Sequence, residues 1–253
     1  MIVNNLNPAI TAANGPVGPT AKGSSITATL TYSDTGTQDT HTCTFTWDDG
    51  TTDTVTGSSG TCTKSHTYAL AGVYTVGVEV KDDDTGVATG TLPALVVIYD
   101  PGAGFVTGGG FVNVVAGSCK LTDVCGTATG KANFGFVSQY KKGASVPTGQ
   151  TEFQFQAGNL NFHSEAYQSL VVSGWKAQYR GTGKINGVAG YSFTVTAYDG
   201  QATGGDKIDR FRIKIWKTSE PSEVVFDNRW GSSDDMDVAN PQELAGGSIV
   251  IHK

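Results

Sequence analysis

The chain has 253 residues, 16% of them charged, and 23 acidic residues against 17 basic ones leave a net charge of -6. That balance argues against nucleic acid or an anionic membrane as the main partner and suits calcium or a neutral ligand. Its 34 glycines, abundant threonine and short Val, Phe and Tyr runs describe an all-β chain of short strands and tight turns. No long amphipathic helix is signalled, and no apolar run is long enough to span a bilayer.

Residues 2–24, rich in Asn, Pro, Ala and Gly, read as an extended leading segment with turns. Met1 is followed by neither a basic start nor an apolar core of signal-peptide length, so the expectation is an excised fragment with an added start Met. From Ser25 to Tyr32 the residues Ile26, Ala28, Leu30 and Tyr32 share one strand face, and Ser33-Asp34-Thr35-Gly36 ends it with a turn. Cys43, Phe45 and Trp47 make the buried face of the next strand, where Trp47 reads as a core anchor rather than a ligand platform. Asp49-Gly50 is a hairpin signal with a partner strand at Thr52 to Thr56, and the close turn at Ser58-Ser59-Gly60 predicts a meander. His66 and Tyr68 read as holding a turn by hydrogen bonds.

Tyr74, Val76, Val78 and Val80, alternating with Thr75, Gly77, Glu79 and Lys81, are expected to form the clearest strand of the protein. Asp82, Asp83 and Asp84 follow it, and these hard oxygen ligands either hold calcium or form a solvated turn. Leu95 to Tyr99 is a last buried strand, and the turn residues Asp100 to Gly104 mark a boundary, giving domains at 1–100 and 101–253.

Beyond the boundary the alternation continues through Ala132, Phe134 and Phe136; Phe153 and Phe155; Leu160 and Phe162; Ala177 and Tyr179; Tyr191 to Ala197; Phe211, Ile213 and Ile215; Val224 to Phe226; and Ser248 to Ile251. Eight or so strands with Gly and Asn turns describe a second β-sandwich or jelly-roll-like domain. Arg210, Arg212 and Lys214 alternate with its apolar residues and are expected on a solvated sheet face or in a groove. Four cysteines form two local pairs, Cys43 with Cys62 and Cys119 with Cys125, neither at metal or redox spacing, so two disulfides and an extracellular or cell-surface location are expected.

The run from Tyr32 to Thr42, Trp47-Asp48-Asp49-Gly50, the run from Ser65 to Tyr68 and that from Ala71 to Gly86 resemble the polycystic-kidney-disease (PKD) domain in order and spacing. The resemblance spans roughly residues 4 to 100, with Asp48 standing where the family usually has glycine. It implies an immunoglobulin-like β-sandwich serving as a spacer or accessory module in extracellular proteins, often calcium-bound. On this resemblance Asn5, three residues before Pro8, joins Asp34 and Asp82 as the expected calcium ligands, an oxygen-only set that suits calcium and not zinc. Residues 102–253 resemble a second family, the post-COAP-1 module of bacterial secreted and surface proteins. The quoted runs are Gly104 to Val112, Asn133 to Gly143, Gly149 to Phe155, Asn159 to Ser164, Asp209 to Trp216 and Gly246 to His252. That resemblance implies placement at the end of a multidomain chain, with no established chemistry.

Asp199, Asp206 and Asp209 in one glycine-flanked loop are a second calcium candidate, and the loop Asp234-Asp235-Met236-Asp237 is another. Trp175, Tyr198, Trp216 and Trp230 could stack on a sugar, with core packing as the plain alternative for each. His163 beside Ser164, Glu165 and Tyr167 raises the question of a hydrolase. Adjacent strand residues point to opposite faces, however, and no GxSxG elbow is present. No catalytic residue is therefore assigned, and no organic cofactor. The expected function is a non-catalytic, calcium-stabilised accessory, adhesion or carbohydrate-binding fragment of a larger secreted or cell-surface bacterial protein. Its partners would be a polysaccharide or cell-surface ligand and the upstream domains of the same chain, with no nucleic acid and no membrane insertion. The alternatives are a secreted hydrolase or lyase acting on polysaccharide or polyester through the second domain, and a pure structural spacer.

Overall fold

The computed structural model describes residues 5–36 and 38–253, so residues 1–4, with the start of the expected leading segment, and Thr37 lie outside the described residues. It divides into two compact units, Met1–Ile98 and Tyr99–Lys253. Both are built almost wholly of strands, as the composition leads one to expect.

The first unit contains β1 (Ala9–Asn14), β2 (Thr20–Ala21), β3 (Ser25–Ser33), β4 (His41–Thr46), β5 (Thr52–Thr56), β6 (Thr61–Thr67), β7 (Gly72–Tyr74), β8 (Gly77–Asp82), β9 (Val87–Thr91) and β10 (Val96–Tyr99). One sheet runs β1-β3-β6, a second β5-β4-β8-β9, and a short third β2-β10-β7. The inward residues of β3, β4 and β8 meet in one core that includes Ile26, Leu30, Phe45, Trp47, Val78 and Val80. The Cys43–Cys62 disulfide joins β4 to β6, so it ties the two larger sheets together through the core. Trp47 is fully buried. Its Nε1 donates to Asp53 at 2.9 Å, and Tyr68 donates its hydroxyl to the Trp47 carbonyl at 2.9 Å. Asp48 takes the glycine-like φ of 63°. Its carboxylate accepts the Thr75 amide at 2.8 Å, a bond that glycine could not make.

Two details differ from the pattern read in the sequence. The run from Tyr74 to Val80 is not one strand: β7 pairs with β10, whereas β8 pairs with β4 and β9. The chain changes sheets across Thr75–Val76. A strand that crosses between two sheets of a sandwich keeps facing the same core, so the alternation passes through the break unmarked. The turn at Ser58 to Gly60 likewise does not make a meander, because β5 and β6 belong to different sheets.

The second unit contains β11 (Phe105–Val114), β12 (Gly130–Gln139), β13 (Thr148–Phe155), β14 (Leu160–Ser173), β15 (Lys176–Ile185), β16 (Val188–Tyr198), β17 (Arg210–Lys217), β18 (Glu220–Asp227), β19 (Gln242–Glu243) and β20 (Gly246–His252). They form one antiparallel sheet in the order β18-β17-β16-β15-β14-β13-β12-β11-β20, with β19 paired to β17. Phe134 on β12 stacks on Phe211 of β17 with centroids 4.0 Å apart, so strands far apart in sheet order face each other. The packed layers are thus two halves of one curled sheet, with Phe, Val and Ile side chains between them.

Closing such a sheet leaves an edge whose amides need acceptors. On β20 they are met by two carboxylates: Ile249 donates its amide to Asp209 and Ile251 to Asp199, each at 2.8 Å. The two-residue spacing is that of successive amides on one side of a strand.

Candidate functional site

The predicted calcium ligands of the first unit converge. Asp34 follows directly after β3, Asp82 ends β8, and Asn5 lies in the leading segment. Asp82 shares the inward phase of Val78 and Val80, which is why it is only 3% exposed. Its Oδ2 accepts the Asn5 amide at 3.0 Å, and its Oδ1 accepts the Gly86 backbone amide at 2.6 Å. His41, opposite Asp82 in the β4–β8 ladder, shares a 2.8 Å hydrogen bond between Nε2 and Asp34 Oδ2.

A residue absent from the expected set completes the group. Asp39 lies in the same β3–β4 loop as Asp34, and carboxylate oxygens of Asp34, Asp39 and Asp82 all lie within 4.8 Å of one another. A Cβ at Gly36 would collide with the Asp39 carboxylate, so glycine there makes room for it. The signal in the sequence was the pairing of Asp34 and Asp39 around that glycine.

The electrostatics of the carboxylates differ. The Gly36 amide and then His41 hold Asp34 below the usual carboxylate range. Asp39 is pushed up by partial desolvation and by the like charges of Asp34, Asp83, Asp84 and Asp82. Three carboxylates with an amide oxygen within a side-chain flip form a hard-oxygen donor set. In the hydrogen bond to Asp82 the amide nitrogen of Asn5 points inward, and rotating the amide would turn its oxygen there.

The acidic residues of the second unit have other partners. Asp199 and Asp209 hold the edge of β20, and they also accept amides of their own loop, from Gln201, Ala202 and Gly200. Asp206 pairs with Arg210 at 2.7 Å. Among the described residues these three do not form a group with converging ligand atoms. The loop from Asp234 to Asp237 supplies counter-charges: Asp234 to Lys214 at 2.6 Å and to Arg212 at 3.4 Å, and Asp237 to Lys176 at 2.8 Å.

The expected solvated face of β17 is for this reason covered. Arg212 is 2% exposed, holds Asp227 through two bonds of 3.0 and 2.7 Å, and donates to the carbonyls of Ser232 and Ser233 in the overlying loop. Gln178, Thr194 and Thr196 are buried on the same face.

The four aromatics do not form one platform. Trp175 packs edge-on against Tyr198, which is buried and donates its hydroxyl to the Met236 carbonyl. Trp216, opposite Ser192 at the other end of the β16–β17 ladder, carries the Arg180 guanidinium 5.4 Å from its centroid. Trp230 stands apart on the loop after β18 and is 49% exposed.

His163 and Ser164 point to opposite faces, as strand parity requires. His163 is exposed and paired with Glu152 across the sheet, while Ser164 is buried and accepts the Thr151 amide at 2.8 Å. Glu165 pairs with Lys184. His66 stacks on Trp47 and bonds Asp49 at 2.8 Å, which is the turn-holding role read from the sequence.

The first unit is thus an immunoglobulin-like β-sandwich with a disulfide between its sheets and an acidic end. Residues 5–97 match the family model of the PKD domain, so the first unit is a PKD domain. PKD domains occur in extracellular proteins. The comparison with curated proteins gave no match. Both expected disulfides are formed, Cys43–Cys62 and Cys119–Cys125. Among the described residues no helix is long and apolar enough to cross a membrane.

Proposed function

We propose that the chain is a non-catalytic, calcium-stabilised accessory segment of a larger secreted or cell-surface protein, used for adhesion or attachment. One observation carries the reading: Asn5, Asp34, Asp39 and Asp82, from three separate segments, meet at one end of the sandwich. Desolvation and then repulsion from the neighbouring carboxylates raise Asp39, and a bound divalent cation relieves the repulsion. Residues 102–253 we read as a post-COAP-1-type module, which places the fragment at the end of a multidomain bacterial chain. The pairing of His163 with Glu152 on the face opposite Ser164 supports a structural rather than a nucleophilic role for this strand.

The test is thermal melting of the full chain in excess calcium and in EGTA, for the native sequence and for Asp82→Ala. At free calcium about 100 times the dissociation constant, the first unit gains about 2.7 kcal/mol, a gain that Asp82→Ala abolishes. An unchanged melting temperature on chelation, with no metal found by elemental analysis, refutes the calcium reading. A hydrolase screen in which reducing ends are released, and release is lost in His163→Ala, would replace the non-catalytic reading.

A further inference from the structure

The second unit has a cleft of about 550 Å³ between residues 115–120 and the loop 228–240. Its lining holds Trp230, Lys120 and Arg229 and no carboxylate. In a chain of net charge -6 that is a local reversal of sign. Among the described residues neither cation is paired with a carboxylate, whereas Arg210, Arg212, Lys176 and Lys214 all are.

Both walls are fixed. Arg229 donates its amide to Asp227 at 2.8 Å and its Nε to the Asn240 carbonyl at 2.7 Å, which pins the loop on either side of Trp230. The facing wall is tied to β18 through the Lys120 amide, bonded to the Val225 carbonyl at 2.8 Å, and through the bridge between Cys119 and Phe226. Trp230 is the one tryptophan among the large exposed apolar side chains, and Lys120 Nζ lies 4.4 Å from its ring centroid. A half-exposed indole on a braced loop loses little freedom on binding.

We propose that this cleft binds an anionic saccharide. A pyranose ring lies against the Trp230 indole, while its carboxylate or sulfate ester meets Lys120 and Arg229. The inference goes beyond the calcium reading and does not rest on it, because the cleft lies in the other unit and needs no metal.

The experiment is isothermal titration of the full chain, in EGTA so that calcium bridging contributes nothing, with oligogalacturonate, dextran sulfate and neutral dextran as probes. At least one polyanion should bind while dextran does not, and whichever is preferred identifies carboxylate or sulfate as the recognised group. Trp230→Ala should weaken binding about tenfold or more, and Lys120→Gln several-fold, equivalent to roughly 1 kcal/mol or more each. Trp230→Phe, which keeps a ring, should retain most of the affinity. Lys120 is exposed, so its variant reports on binding even if Trp230→Ala fails to fold. Three results each overturn the proposal: neither polyanion binds, dextran binds as tightly, or affinity is unchanged in both Trp230→Ala and Lys120→Gln.

Discussion

Replacing Asp227 by Asn removes a charge without changing side-chain shape, at a point where the second unit has no solvent to compensate. The Asp227 and Arg212 side chains are each 3% exposed and joined through both carboxylate oxygens. Arg212 also holds the overlying loop through two carbonyls, so a guanidinium left with only the longer 3.4 Å pairing to Asp234 cannot move out to water without opening that loop. Removing one partner of a buried pair costs about 3–5 kcal/mol, chiefly through the uncompensated charge that remains. With a urea slope of about 2 kcal/mol/M, the unfolding midpoint of the second unit should fall by about 1.5 M or more.

The assay is a urea titration of the full chain followed by tryptophan fluorescence, to which Trp175, Trp216 and Trp230 contribute from the second unit. Combining Asp227→Asn with Arg212→Met removes the stranded charge, so the double variant should be less destabilised than the sum of the singles by at least about 1.5 kcal/mol. A loss below about 1 kcal/mol in Asp227→Asn, or additive singles, would show that Arg212 does not depend on Asp227, being either solvated or neutralised by Asp234 alone.

Three further outcomes follow from the first unit. Asp39→Asn should stabilise the protein in EGTA at neutral pH while shrinking the gain on adding calcium, both read by differential scanning calorimetry. Folding raises the Asp39 pKa, so the ionised form opposes folding once pH exceeds the ordinary value of about 4. Asp34 has the opposite sign: its pKa is depressed, so its contribution is complete above about pH 4 and is lost as pH falls through the lower folded value. Asp34→Asn should therefore flatten the acid limb of the melting curve against pH. Finally, Cys43→Ala with Cys62→Ala, which opens a link of 19-residue separation between the sheets, should cost about 3 kcal/mol in a denaturant titration, against about 2 kcal/mol for the Cys119–Cys125 link of separation 6.

How far the fold can be read from the chain depends on which physical effect leaves a period behind. Burial on one face does, and so β3, β4 and the strands from β12 to β17 fall where Ile26, Phe45, Phe134 and Ile213 alternate with polar neighbours. Sheet membership does not. Val76, Val78 and Val80 keep facing one core while the strand changes partners at Thr75–Val76, and only the hydrogen bonds record the change. The break has a local cause in the amide of Thr75, which is turned to Asp48.

The acidic residues show the same limit more sharply, because a carboxylate in the sequence carries no mark of what it will meet. Asp82 was legible as a site residue through its place at a strand end and the PKD resemblance, and the structure adds that parity with Val78 and Val80 aims it inward. Asp199 and Asp209 sit in an equally acidic, glycine-rich loop, but the curl of the sheet brings the open edge of β20 to them, and amides take the oxygens a cation would have used. Asp234 and Asp237 answer Arg212, Lys214 and Lys176 across the face of β15 and β17. What separates the two kinds of aspartate is whether other donors reach them. Among the described residues the donors around Asp34, Asp39 and Asp82 are one histidine, one amide side chain and turn amides, too few to neutralise three charges within 4.8 Å. The excess negative charge there is the physical reason to expect a cation at this end of the sandwich and not in the loops of the second unit.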